Sequence, residues 1–387
     1  MNSGNAVTET DTLRVRRVEI RVYRAPIDTP VTTSFGVMRD RPSVLLRLED
    51  ESGAHGWGEV WCNFPDCGAE HRAGLLRSVF APLLLEREFR GPSEAAAELA
   101  RATHTLMLQT AEYGPIQQCL AGADDALWDL AARKAGLPLH RLLGGKGEGV
   151  VPAYASGINP AGCLETVEAC RAAGYRAFKL KVGFGRDRDL ANVRMISESL
   201  RPGERFMLDA NQAWDLDTAG AMLRELAAFP VEWIEEPLRC DRPIEEWRRL
   251  AEASPIPLAA GENIRSLGEF RAAFGHLAFV QPDACKWGGV SGCLEAARAA
   301  LEAGRVYCPH YLGGGVGLLA SAHLLAAAGG PGLLEIDVNP NPLREGLAAP
   351  HPRLDEGVFT LPGGPGLGVE PDDAAVAEFL RSSYVRG

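Results

Sequence analysis

Seven short apolar runs in this chain each stop at a charged or imidazole side chain: Lys181, Asp209, Glu235, Glu262, Asp283, His310 and Glu335. The successive separations are 28, 26, 27, 21, 27 and 25 residues, so one repeating unit takes about 26. The runs include "AFKLKVG", "RFMLDANQ", "VEWIEEP", "IPLAAGE" and "AFVQPDA", and Ala- and Leu-rich stretches of helical pattern lie between them. Strands alternating with helices read as a parallel α/β sheet. An open doubly wound sheet gathers its site at one switch point, whereas here nearly every strand ends in a chemical group. Only a closed (β/α)8-type barrel brings seven successive strand ends together, and eight such units come to roughly 205 residues, the compact end of the barrel range.

With 387 residues, the chain has room for a second domain. From Leu13 the sequence reads as strands: "LRVRRVEIRVYRAPI" alternates, and "SVLLRLEDESGAHGWGEVW" predicts a hairpin turning at Ser52-Gly53. Helical patterning runs from about Ala69 to Ala135, with breaks expected at "GPSE" and "YGP". An antiparallel sheet followed by helices is an α+β unit.

The formal net charge of -11 argues against nucleic acid or an anionic membrane as partner, because the overall field repels phosphate. An anionic substrate would then need local positive charge. Nine cysteines form an odd, scattered set without a CxxC pair, the pattern of reduced thiols in a cytoplasmic protein. The opening "MNSGNAVTETDT" lacks the basic-then-apolar pattern of a signal peptide, and no apolar stretch is long enough to suggest a membrane span.

"LDAN", "IEEP" and "AGEN" each place an acid after an apolar run, at Asp209, Glu235 and Glu262. A single acid in that position reads equally as a helix cap or a surface charge. Three on consecutive strands would repel one another at a barrel mouth unless a cation lay between them, and all-oxygen ligands favour Mg²⁺ over zinc. Glu235 and its neighbour Glu236 face opposite sides of a strand, which leaves Glu236 a supporting role.

In "FKLKVG", Lys179 and Lys181 share one strand face. Two crowded ammonium groups are expected to lower each other's pKa, which suits one of them to act as a base near neutral pH. A solvated strand edge, or a charge that binds substrate without catalysis, is the alternative. Asp283 and His310 end successive strands, and a carboxylate beside an imidazole fixes its tautomer and raises its basicity. Lys286 reads as a structural ion-pair partner, and Gly313 to Gly315 as a tight turn rather than an anion cradle.

These motifs, from "GWGEV" through "DDALWDLAARKAGLPLHRLLGG", "KLKVG", "LDANQAW", "WIEEP", "GEN", "PDACKWGGVSG" and "PHYLGGGVG" to "LLEIDVNP" and "PGLGV", resemble the enolase superfamily and, within it, the mandelate racemase subgroup. The resemblance implies a (β/α)8-type modified TIM barrel under an N-terminal α+β capping domain completed by the C-terminal tail. The chain then divides into a disordered extension at 1–12, a capping domain with lid loops at 13–145, the barrel at 146–338 and a returning segment at 339–387. It also implies Mg²⁺ on Asp209, Glu235 and Glu262, Lys181 as the base on one substrate face and His310, paired with Asp283, as acid or base on the other. Lys179 would tune Lys181 and touch the substrate carboxylate, Glu335 would hydrogen-bond it, and Asn211, Phe35 and Asn63 would add substrate contacts. Cycloisomerases and dipeptide epimerases of the superfamily carry a second lysine five residues before the Gly-Gly pair, where this chain has Asp283.

By this resemblance the expected reaction is removal of the proton α to a carboxylate through an enediolate, leading to dehydration of an acid sugar to a 2-keto-3-deoxy acid. Racemisation of a 2-hydroxy acid such as mandelate is the alternative, and a catalytically silent metal-binding barrel is the non-enzymatic one. The expected lids, Thr29 to Arg41 and Trp61 to Gly68, offer Arg39, Asp40, Arg41, Asn63 and Asp66 to a sugar, or Phe35, Val37 and Phe64 to a ring. A homo-oligomer is expected.

Overall fold

The computed structural model describes residues 12–32 and 36–387. The extension expected at 1–12 lies outside the described residues except for Thr12, and so does Phe35. Strands β1 (Leu13–Thr32) and β2 (Val37–Asp50) form a long antiparallel hairpin, and β3 (His55–Val60) extends it. Alternation buries Val18, Ile20, Val22, Val44, Leu46 and Leu48 against helices that follow. These are α1 (Gly68–Leu75), which passes through a π turn into α2 (Ala81–Leu85), then α3 (Pro92–Thr110) and α4 (Tyr113–Lys134), with a short β4 (Glu88–Phe89) between α2 and α3. The expected break at "YGP" is instead the first turn of α4, where the missing N–H of Pro115 leaves no bond unmade. The chain breaks just before it, at the left-handed Ala111 and at Glu112.

After α5 (Leu139–Leu142), eight strands alternate with helices: β5 (Val150–Ile158), α6 (Cys163–Ala172), β6 (Ala177–Lys181), α7 (Arg186–Ser199), β7 (Arg205–Asp209), α8 (Leu216–Leu226) and β8 (Val231–Glu235). The series continues with α9 (Ile244–Ala253), β9 (Leu258–Ala260), α10 (Leu267–Ala273), β10 (Phe279–Val280), α11 (Gly289–Glu302), β11 (Val306–Tyr307), α12 (Gly315–Ala328) and β12 (Leu334–Asp337). Strands β5 to β11 pair in parallel, each with the next, and β12 pairs in parallel with β5. At the seam between β11 and β12, the Leu333 N–H donates to Cys308 Sγ at 3.3 Å. This is the barrel that the 26-residue period predicts.

The two-residue period sorts the side chains. Phe178, Leu180, Phe206, Leu208 and Ile234 face outward onto Val167, Val193 and Leu223 of the helices. A buried side chain such as Phe206 contributes roughly 1.5–3 kcal/mol there. Tyr154, Met207, Trp233 and Phe279 fill the barrel interior, and this plug leaves the strand ends above it for polar groups.

The tail serves both units. After α13 (Pro342–Gly346), the hairpin β13 (Leu354–Asp355) and β14 (Val358–Thr360) adds antiparallel to β5, which the sequence reading did not anticipate. Then α14 (Asp373–Val376) leads to β15 (Leu380–Arg386), which pairs antiparallel with β1. Glu370 accepts from Arg133, from Trp57 Nε1 at 2.7 Å and from His55 Nε2 at 3.0 Å, and so ties the tail to α4 and β3. No described helix is long and apolar enough to cross a membrane, and all nine cysteines are free thiols.

Candidate active site

A cavity of about 710 Å³ opens at the C-terminal ends of the barrel strands. Lys181, Asp209, Asn211, Glu262, Lys286, His310, Tyr311, Glu335 and Asp337 line it from the barrel, and Val31, Trp61 and Phe64 from the N-terminal domain. Lys179, Glu235 and Asp283 are buried beneath or behind that lining.

The two lysines of β6 lie at different depths. Lys179 Nζ is 2.5 Å from Glu235 Oε2 and 2.7 Å from Glu335 Oε1, with the Tyr154 ring 5.2 Å away. Burial alone would lower its pKa, but Glu235 and Glu335 reverse this and hold the ammonium well above the usual lysine value. This corrects the expectation that Lys179 faces the mouth, touches substrate and is itself lowered: it shares the strand face with Lys181 but sits one layer deeper, neutralised by two carboxylates. Lys181 lines the cavity, and its pKa is lowered, chiefly by burial, with Asp209 and Asp337 opposing and Lys179 and Arg41 adding to the shift.

His310 is clamped between two acids. Its Nδ1 lies 2.7 Å from Asp283 Oδ2 and its Nε2 2.6 Å from Glu262 Oε2. Burial opposes the charged ring, but Glu262, Glu335 and the bond to Asp283 shift its pKa well above the ordinary histidine value, the direction that favours the imidazolium. Asp283 is itself fixed by the Cys285 N–H at 2.8 Å. Glu335 accepts from Lys179, from Ser156 Oγ and from the Tyr311 N–H at 3.2 Å. Burial would raise the Glu335 carboxyl, but Lys179 and His310 bring it below the usual range.

Asp209 and Glu235 are register partners at the ends of β7 and β8, and Glu262 follows β9 by two residues. All three offer only oxygen, the donor type of a hard divalent cation. Burial, with Asp209 and Glu335 adding, pushes the Glu235 carboxyl up to about 8, and burial together with Glu262 raises Asp209, whereas His310 and Lys286 outweigh burial at Glu262 and hold it well below the usual range. By donor chemistry these residues fit Mg²⁺. Their side chains do not converge, however: among the described residues no three His, Cys, Asp or Glu groups are close enough to hold one ion. The physical reason is competition, since Glu235 is turned onto Lys179 and Gln281 Nε2, Glu262 onto His310, and Asp209 accepts from Asn211 N and Nδ2, each at 2.8 Å.

The lids differ most from expectation. Residues 29–41 are largely the end of the β1–β2 hairpin, and Asp40 is paired with Arg24 at 3.0 Å. Arg41 is buried against Asp337, and Asn63 is buried with its Nδ2 donating to Leu312 O at 2.7 Å, so Asn63 clamps a loop and does not line the cavity. The described N-terminal lining is apolar. Lys286, read from sequence as a structural ion-pair partner, does pair with an acid, its Nζ 3.5 Å from Glu262 Oε2, and it also lines the cavity, with Nζ 3.0 Å from Asn263 Oδ1 and 5.0 Å from the Trp61 ring. Its spacing after Asp283 was visible, but the return of that loop to the cavity wall was not.

Residues 163–375 match the family described as enolase C-terminal domain-like, and residues 16–144 match the mandelate racemase / muconate lactonizing enzyme N-terminal domain. A crystal structure of a mandelate racemase/muconate lactonizing enzyme from Bordetella bronchiseptica RB50 is 51% identical, with a TM-score of 0.89 over 95% of this chain and 99% of that one. D-galactarolactone cycloisomerase from Agrobacterium fabrum is 29% identical over 95% of this chain and 99% of its own. L-talarate/galactarate dehydratase from Salmonella typhimurium LT2 is 26% identical, with a TM-score of 0.82 over 100% of this chain and 96% of its own, and a variant of such an enzyme was crystallised with Mg and L-glucarate.

Proposed function

This chain belongs to the mandelate racemase/muconate lactonizing enzyme family of the enolase superfamily, and from that premise we propose that it removes the proton α to the carboxylate of an acid sugar and expels the β-hydroxyl as water. The observation that carries this reading is geometric: Lys181 and His310, the latter held by Asp283 at 2.7 Å, line one cavity, and burial lowers Lys181 in the direction a base requires. They come from β6 and β11, strands separated by β5 and β12 around the barrel.

Lys181 as free amine takes the α proton, and the electron pair moves into the carboxylate to give an enediolate. His310 as imidazolium then gives its proton to the β-hydroxyl, the C–O bond breaks, and water leaves. The resulting enol tautomerises to a 2-keto-3-deoxy acid. Asp283 holds the imidazole ring in place throughout, and Glu335 offers a carboxylate at the cavity wall. With Glu235 and Glu262 released from Lys179 and His310, Asp209, Glu235 and Glu262 would supply the oxygen ligands of Mg²⁺, as the magnesium-liganded relative supports, and the ion would supply positive charge for the substrate carboxylate.

A second reading is favoured by the apolar Val31, Trp61 and Phe64 and by the cycloisomerase relative. In it the same proton removal is followed by movement of a ring oxygen, or by return of a proton to the other face, and the enzyme is an isomerase. Incubation with Mg²⁺ and a panel of aldonic, uronic and aldaric acids and their lactones, followed by mass spectrometry, separates the two. Dehydration predicts a 2-keto acid lighter by one water, whereas product of unchanged mass throughout the panel would overturn it in favour of the isomerase.

A further inference from the structure

The loop that follows His310 is held from the other domain by one carboxylate. Glu59, on β3, is buried, and both its oxygens are engaged. Oε1 accepts from Ser43 Oγ at 2.8 Å and from the Gly314 N–H at 2.6 Å, and Oε2 accepts from the Gly317 N–H at 2.9 Å. The Tyr311 hydroxyl lies 2.9 Å from Oε2 and 2.7 Å from Gly314 O, so its single proton is shared between two acceptors.

Where the sequence reads as a tight turn, the Gly314 and Gly317 amides therefore cradle an anion, and the protein fills that cradle with its own side chain. A Cβ on Gly314 would stand 2.6 Å from Glu59 Oε1, which is why glycine is needed for this approach. The carboxylate also sits at the N-terminus of α12, where exposed N–H groups and the helix dipole favour negative charge. Four residues after Glu59, Asn63 holds Leu312 O, so the N-terminal domain grips the loop at two points. The same loop supplies Tyr311 and Leu312 to the cavity wall and begins directly after His310.

We propose that Glu59 is a positioning residue for His310: it fixes the backbone after β11 from across the domain interface, through Tyr311 and the Gly314 and Gly317 amides, without touching substrate. On this account the N-terminal domain covers the cavity and also aims the acid. The inference rests on the role given to His310 under the proposed function.

Glu59→Gln tests it. The substitution keeps the shape, but whichever way the amide is turned its NH₂ group faces a backbone N–H, that of Gly314 or of Gly317. Two readouts are taken. In histidine-labelled protein without substrate, NMR of the His310 imidazole is compared between wild type and E59Q; a shifted and broadened Nδ1–H signal supports the inference, and an unchanged signal overturns it. With any acid sugar from the panel that wild type converts, water loss should fall about tenfold to a hundredfold, the scale of a small misplacement, while exchange of the α proton through Lys181 changes less than about twofold. Equal loss of both, or loss of neither, overturns it. If E59Q does not fold, Tyr311→Phe keeps both amide bonds to Glu59 and should give a smaller split of the same sign, and no split would count against the proposal. Wild type that converts nothing in the panel sinks the dehydratase reading, while the imidazole signal still decides the positioning role.

Discussion

Lys179 and Lys181 leave the same face of one strand, yet their ammonium groups are perturbed in opposite directions. Glu235 and Glu335 hold the deeper one charged; burial drives the one at the cavity toward the neutral amine. A pair that looks redundant in sequence is thus divided between a fixed cation and a candidate base.

Replacing Lys179 by Met should therefore do two things. It strands Glu235 and Glu335 in the interior, and breaking a buried ion pair in this way costs about 3–5 kcal/mol, to be read as a lower urea midpoint. It also removes a positive charge that lowers Lys181 and unmasks negative charge that raises it. The limb of the pH–rate profile assigned to Lys181 should move to higher pH.

In wild type that limb should lie below the ordinary lysine value of about 10.4, because burial depresses Lys181 and the base works only when deprotonated. His310 acts in the opposite sense: its pKa is raised and it must be protonated, so activity should fall as pH climbs through its value. The expected profile of kcat/KM for water loss is a bell. His310→Asn should remove water loss by roughly 10²- to 10⁴-fold, and Asp283→Asn should shift the falling limb to lower pH by taking the carboxylate from Nδ1.

Glu370 makes a stability prediction away from the cavity. Burial would raise its carboxyl, but His55, Arg133 and Trp57 bring it down to about 2. The ordinary value is about 4.3, so the folded state favours the ionised form; the stabilisation is complete above that value and is lost as pH falls toward about 2. Glu370→Gln should cost about 1 kcal/mol at neutral pH, the scale of a solvent-screened pair, and the difference from wild type should vanish in acid denaturation curves.

Gly332 guards the barrel seam. A Cβ there would stand 1.7 Å from the carbonyl oxygen of Tyr307, a backbone atom of β11 that cannot swing away. Gly332→Ala should destabilise the protein by about 1–3 kcal/mol, seen as a lower thermal midpoint.

The sequence makes the barrel legible because each unit repeats one local rule: an apolar run, a polar end, a helix. The placement of Lys181, Asp209, Glu262, His310 and Glu335 on one cavity follows from that repetition. Other features depend on partners far away in the chain. Nothing near Lys179 announces Glu335, 156 residues on, and nothing near Glu59 announces Gly314, 255 residues on. The lids misled for a related reason: Arg41 and Asn63 look like polar loop residues, but their polarity is spent on Asp337 and on Leu312 O. Hydrogen-bond demand is local to a side chain, and its satisfaction belongs to the fold.

The most direct measurement of the central claim is α-proton exchange in deuterated water, with Mg²⁺ and the acid-sugar panel, for wild type, Lys181→Ala and His310→Asn. The account predicts deuterium at the α carbon with wild type and with His310→Asn, none with Lys181→Ala, and 2-keto acid from wild type alone. Exchange and 2-keto acid formation at wild-type rates in Lys181→Ala would contradict it.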